Sequence, residues 1–211
     1  LWQNVGWYRL LQAEEQNKLE RDMRIFLAER NWEGCAGLEL TDAMKVTIAG
    51  QACLLVLGWD DFLFERVRSV LVYPGGYRSR ESRAFGSDLP SDRIGEAHQA
   101  GTVVLSWRDS LWDARGARDG RNVVLHEFAH VLDMENGDAD GVPYLPTARE
   151  YREWEAVITR EWETLQRALD ARRATLIDPY GATNLAEFFA VATEAFFELA
   201  PHVRREHPDL Y

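Results

Sequence analysis

The chain has 211 residues, 46% of them hydrophobic and 11% aromatic, a composition that supports a packed core and excludes a disordered chain. Thirty-five acidic residues against 24 Lys plus Arg give a net charge of -11, the opposite sign to that needed for bulk nucleic-acid binding. The longest apolar run, residues 52–57, is far short of the roughly 20 residues that cross a bilayer, so neither nucleic acid nor membrane is an expected partner.

Residues 5–30 carry a helical stripe of Leu10, Leu11, Leu19, Met23, Ile25, Phe26 and Leu27. Thr41 is placed to cap a second helix running to about Leu57, with Gly58 as its stop. Residues 65–73 read as a strand through Val67, Val70, Leu71 and Val72, closed by Pro74-Gly75-Gly76. The Arg-, Ser- and Gly-rich stretch 77–95 reads as a long surface loop, and its basic residues, mixed with Glu81, Asp88 and Asp92, as a solvated segment. A second β segment follows at 100–107, centred on Val103, Val104 and Leu105, and then a helix at about 120–135. Residues 136–146 form a Gly/Asp/Pro loop. A charged helix at 147–172 has Trp154, Ile158, Trp162, Leu165 and Leu169 as its apolar stripe. The last helix is expected at 185–199, with a short tail after Pro201. Helix dominates, a small sheet is expected beside the 120–135 helix, and the layout is α+β. One domain is expected over 1–211, with an N-terminal helical part, about 1–60, packed on it.

Cys35 and Cys53 have no CxxC spacing, which suits a reducing compartment and two buried thiols. No signal peptide is legible in a sequence that starts at Leu1 rather than Met, and a cytoplasmic location is expected.

The most informative residues are His126-Glu127-Phe128-Ala129-His130. Two His four apart on a helix lie about 40° apart around its axis and can reach one Zn²⁺, with the Glu beside the open coordination position as general base. Leu125, Phe128, Ala129 and Leu132 form a buried stripe, and Val123, His126, Glu127, His130 and Met134 a second one. Buried ionisable groups need partners, and a metal supplies one for the two His. Asp119 or Asn122 can cap the helix start, and Asn136-Gly137 can end it in αL conformation.

A catalytic Zn²⁺ takes a third protein ligand and leaves a position for water, whereas structural sites are usually closed by four. The HExxHxxGxxH form is excluded, since Asp133 and Asn136 stand where it needs Gly and His; His98, His202 and His207 sit in no motif. The candidates left are Glu187, Glu150 and Glu153. Asn184-x-x-Glu187 also has the form of a capping box, and Glu187, Glu194 and Glu198 along one side also have the form of a solvated helix face.

Two further segments carry a family likeness. Tyr180 to Ala190 resembles the third-ligand segment of the anthrax lethal factor catalytic domain. HEFAH, Asn136-Gly137-Asp138, Gly141-Val142-Pro143 and Glu187-Phe188-Phe189-Ala190-Val191 are together similar to the Mlc titration factor A family of gluzincin-type zinc peptidases, with likeness along most of the chain. The resemblance implies a mainly helical zincin-like domain with a small mixed β-sheet, and one Zn²⁺ per chain on His126, His130 and Glu187. It implies Glu127 as base and Tyr180 pointing its hydroxyl at the reacting centre. Peptides, with some aminopeptidase activity, are the implied substrates, and an Mlc-like transcriptional repressor the implied protein partner. A purely regulatory binding protein is the competing reading, which the acidic surface suits if the partner is basic. The strand at 103–107 is expected to be an edge that pairs with an extended peptide.

Overall fold

The computed structural model describes residues 4–59, 62–76, 95–98, 101–116 and 118–211, with the backbone alone at 95–98. The chain divides into two compact units, Leu1–Arg115 and Gly116–Tyr211. Seven α-helices and four strands among the described residues make it mainly helical α+β.

The first unit contains α1 (Ala13–Glu29), β1 (Asn31–Gly34), α2 (Asp42–Leu55), β2 (Ser69–Tyr73), β3 (Gly95–His98), β4 (Thr102–Ser106) and α3 (Trp107–Ala114). Leu19, Met23 and Phe26 of the predicted stripe are buried on α1, whereas Leu10 and Ile25 are exposed. Leu10 falls in a 3₁₀ turn, Gly6–Leu10, ahead of the helix. The Thr41 hydroxyl accepts the Met44 N–H and caps α2 as expected. Phe26, Ile48, Phe64, Val70, Val72, Val103 and Leu105 are core residues of this unit.

The sheet is mixed, in the order β1-β2-β4-β3. β1, β2 and β4 run parallel, and β3 pairs antiparallel with β4. This overturns the expectation that residues 103–107 form an edge. β4 is hydrogen-bonded on both sides, and Val103, Val104 and Leu105 are all buried, as suits a central strand. Trp107 belongs to α3, where the Ser106 hydroxyl accepts the Asp109 N–H. The basic stretch and nearly all of the expected loop at 77–95 lie outside the described residues; Gly95 itself begins β3.

The second unit contains α4 (Val123–Asp133), α5 (Ala148–Asp170), α6 (Leu185–Glu198) and α7 (Ala200–Glu206). Asn122 caps α4, its Oδ1 accepting the Leu125 N–H at 3.0 Å, and Gly137 adopts φ 106° after the short turn Met134–Asn136. Thr147 and Glu150 form a reciprocal capping box on α5. The expected tail is instead α7: Pro201 stands in its first turn, where a missing N–H costs nothing. His207 Nδ1 lies 2.8 Å from Glu161 Oε2, joining the end of α7 to α5.

Helix α6 packs on α4, on α5 and on the 3₁₀ turn Pro179–Thr183. The loop between α4 and α5 is fixed against its first turn. Gly141 has φ +81°, and a Cβ there would lie 2.5 Å from the Leu185 carbonyl oxygen. The Trp154 indole N–H donates to the Gly141 carbonyl at 3.0 Å, and the Asp133 carboxylate accepts the Gly141 N–H at 2.7 Å. No helix among the described residues is long and apolar enough to cross a membrane.

Candidate metal centre

Every residue of α4 is buried except His126 and His130. On an otherwise interior helix, the two residues that open outwards are the two imidazoles, one turn apart. Their Nε2 atoms are 3.2 Å from each other. Glu187 Oε2 lies 3.2 Å from His126 Nε2 and 3.3 Å from His130 Nε2. The three atoms thus form a nearly equilateral triangle. A tetrahedral Zn²⁺ with bonds of about 2.0–2.1 Å needs donors about 3.3 Å apart, so these residues fit such an ion. Among the described residues this is the one group of three His, Cys, Asp or Glu able to hold a metal.

Glu187 reaches the histidines because of where α6 starts. Asn184 Oδ1 accepts the Glu187 N–H at 2.9 Å, so half of the capping box exists. The Glu187 carboxylate does not return to the Asn184 backbone but faces the imidazoles, across the packing of α6 on α4. The other two candidates are engaged elsewhere: Glu150 in the α5 cap, at 3.0 Å from the Thr147 N–H, and Glu153 with Arg149 at 2.7 Å.

The charge balance follows from these contacts. Burial disfavours the His126 imidazolium, but hydrogen bonds to Glu187 and Glu194 outweigh it and push its pKa up to about 10. Burial would raise the Glu187 carboxyl, yet hydrogen bonds from His126 and His130 hold it far below the usual carboxylate range. The centre is organised to hold positive charge.

Glu127 is 6% exposed and near enough to His126 for its charge to favour the imidazolium. Tyr180 lies in the turn Pro179–Thr183, where Asp178 Oδ1 accepts its N–H at 2.9 Å. Its hydroxyl donates to Glu187 Oε1 at 3.4 Å, and its ring centroid is 6.3 Å from that of His126. His126, His130, Glu187 and Tyr180 are therefore brought together, with Glu127 between the two histidines on α4. Of two carboxylates that spacing also allows to face water, one is buried and the other half-buried. Glu194 is buried with its Oε1 2.7 Å from His126 Nδ1, and Glu198 Oε1 accepts from the Asn122 amide at 3.3 Å. Their positions two and three turns beyond Glu187 on α6 were the available signal. Of the two thiols, Cys53 is buried, which pushes its pKa up to about 12, and Cys35 is half-buried.

Comparison with known proteins places this geometry in context. The glucose-regulated metallo-peptidase M90 family matches residues 1–211. An uncharacterized protein of Synechocystis sp. is 37% identical over 216 residues, taking in 100% of this chain and 78% of that protein. Mlc titration factor A of Klebsiella pneumoniae subsp. pneumoniae is 36% identical over 194 residues, covering 89% of this chain and 72% of the relative. Mlc titration factor A of Escherichia fergusonii is 35% identical over 208 residues, covering 95% and 77%.

Proposed function

The chain belongs to the glucose-regulated metallopeptidase M90 family, and on that footing we propose that it is a zinc-dependent peptidase whose metal ligands are His126, His130 and Glu187. The observation that carries this reading is the triangle of two Nε2 atoms and one carboxylate oxygen with edges of 3.2–3.3 Å. Bound there, Zn²⁺ would act as a Lewis acid, acidifying water and polarising the scissile carbonyl.

The side chains supply the rest. Glu127 takes a proton from the attacking water and returns it to the leaving amine. Tyr180 turns its O–H from Glu187 towards the oxygen on which negative charge develops. An extended peptide is the substrate class, with aminopeptidase cleavage included.

Two measurements test this reading. Metal analysis of the purified protein should find one zinc per chain, and peptide hydrolysis should stop on chelation and return with zinc. Glu127→Gln should retain the metal and lose hydrolysis by several hundredfold or more. Full activity in a zinc-loaded Glu127→Gln protein removes Glu127 as base, and a wild-type protein that binds no zinc removes the site.

The names of the relatives favour a second, compatible reading: binding of an Mlc-like transcriptional repressor. The net charge of -11 suits a basic partner. Pull-down with Glu127→Gln separates the two, since retained partner with lost hydrolysis assigns them to different groups.

A further inference from the structure

The turn that carries Tyr180 is held from two sides, and on one of them stands a charge pair that the chemistry above leaves unused. Gly181 seats the turn on α6: a Cβ there would lie 2.6 Å from Val191 Cγ2 and 3.3 Å from Phe188 Cα, so the missing side chain lets the backbone sit close to that helix. On the other side is Asp178, whose two carboxylate oxygens have different tasks. Oδ1 accepts the Tyr180 N–H at 2.9 Å. Oδ2 accepts from Arg121, at 2.9 Å from Nε and 2.7 Å from Nη2. Arg121 is itself fixed at the start of α4. Its N–H donates to Asp119 Oδ1 at 3.1 Å, and the next residue, Asn122, caps the helix. The guanidinium thus joins the helix of both histidines to a turn 57 residues later in the chain.

We propose that Arg121 is a positioning residue for Tyr180: through Asp178 it locks the turn Pro179–Thr183 to the first residues of α4, and so sets where the Tyr180 hydroxyl lies relative to the two imidazoles. The inference rests on the functional reading of Tyr180 and the metal group given above. The seat of Gly181 fixes the turn to the helix of Glu187, whereas the histidines stand on another helix, and the Arg121–Asp178 pair is a direct tie to that one. Two N–H groups of one guanidinium on a single carboxylate oxygen fix direction as well as distance, which a lone ammonium does not. Ion pairs between two exposed side chains contribute little. Here the Asp178 side chain is only 20% exposed, and its second oxygen is bonded to the backbone of the residue to be placed. A small displacement of that backbone is felt in turnover, because a hydroxyl that meets developing charge acts only over hydrogen-bond distances.

Steady-state kinetics on zinc-loaded wild type, Arg121→Ala, Arg121→Lys, Tyr180→Phe and the double variant Arg121→Ala/Tyr180→Phe test the proposal. Hydrogen exchange at the Tyr180 and Gly181 amides of the metal-free proteins is the second readout, since these N–H groups donate to the Asp178 carboxylate and carbonyl. Arg121→Ala should lower kcat about three- to tenfold with KM and zinc content unchanged. Arg121→Lys should recover part of the loss, because it keeps the charge without the paired donors. In the Tyr180→Phe background Arg121→Ala should cost nothing further, as the hydroxyl it places is gone. Both amides should exchange faster in Arg121→Ala, by a similar factor, while those in the middle of α6 keep their wild-type rates. Wild-type kcat in Arg121→Ala overturns the proposal. So does an equal loss with and without the Tyr180 hydroxyl, or a raised KM at unchanged kcat, either of which gives Arg121 another role. A wild type that hydrolyses no peptide, or a Tyr180→Phe variant with full kcat, sinks the functional reading instead. Exchange needs neither metal nor turnover, and unchanged amide rates in Arg121→Ala overturn the tie in every case.

Discussion

Tyr180 is 55% exposed, and its hydroxyl donates to Glu187 at 3.4 Å, beside the candidate metal group. Tyr180→Phe should therefore lower kcat on the order of 100-fold with zinc content and folding unchanged, as steady-state kinetics with metal analysis will show. Asp133 offers a different test. Burial pushes its pKa up to about 6, and its Oδ2 has no hydrogen-bond partner among the described residues. An acid whose folded pKa lies above its ordinary 3.8 binds its proton more tightly when folded. Its contribution is therefore most favourable below pH 3.8 and is lost as pH rises through about 6. Asp133→Asn, which keeps an acceptor for the Gly141 N–H, should be more stable than wild type above pH 6, by on the order of 1–3 kcal/mol, with the gap closing towards pH 4 in denaturant titrations. At this scale the two histidines were legible as candidate donors, with Glu127 between them, because HExxH spacing puts both imidazoles one helical turn apart. Glu187 was not separable by spacing from a capping residue, since Asn-x-x-Glu serves both ends. Whether its carboxylate turns back to the backbone depends on a helix sixty residues earlier in the chain. Glu194 and Glu198 read equally well as a wet face for the same reason.

Each of the two helices that carry the candidate ligands is capped by Asn: Asn122 lies four residues before His126, and Asn184 three before Glu187. Asn184→Ala removes the acceptor of the Glu187 N–H and should cost about 1 kcal/mol, read as a lower thermal midpoint. It should also weaken zinc binding, because the first turn that carries Glu187 frays. Long periodic segments and their caps were readable: Thr41, Asn122, Gly137 and Thr147 all do what their residue types suggest. Short elements escaped. β1 is Asn-Trp-Glu-Gly, four residues with a single apolar side chain, and it exists because the β2 backbone offers it a parallel partner. α3 was hidden behind the apolar run of β4, although Ser106-x-x-Asp109 marked its start. α7 was hidden by a proline that usually signals an end and here stands in a first turn.

At the scale of the whole chain, the sheet belongs to the first unit and the complete candidate metal group to the second. α+β character was evident from composition and periodicity, whereas a mixed sheet order with β4 inside is a long-range pairing that local pattern cannot encode. An ion held by two helices of one unit, α4 and α6, should stabilise that unit by mass action. At a free zinc concentration of about 100 Kd the gain is about 2.7 kcal/mol. Thermal melts should accordingly shift upwards with zinc and back with chelator, and Glu187→Ala should abolish the shift.

The contact of Gly141 with Leu185 reaches further than backbone strain. Because the loop after α4 is seated against the very turn that presents Glu187, the number of residues in that loop helps to set where the third donor ends up. Insertions or deletions between Gly137 and Pro146 would be registered some forty residues downstream. Loop length is therefore part of the candidate metal site, as much as the candidate donors themselves, and a homologue that keeps HExxH but alters this span would have to rebuild the approach of its third carboxylate.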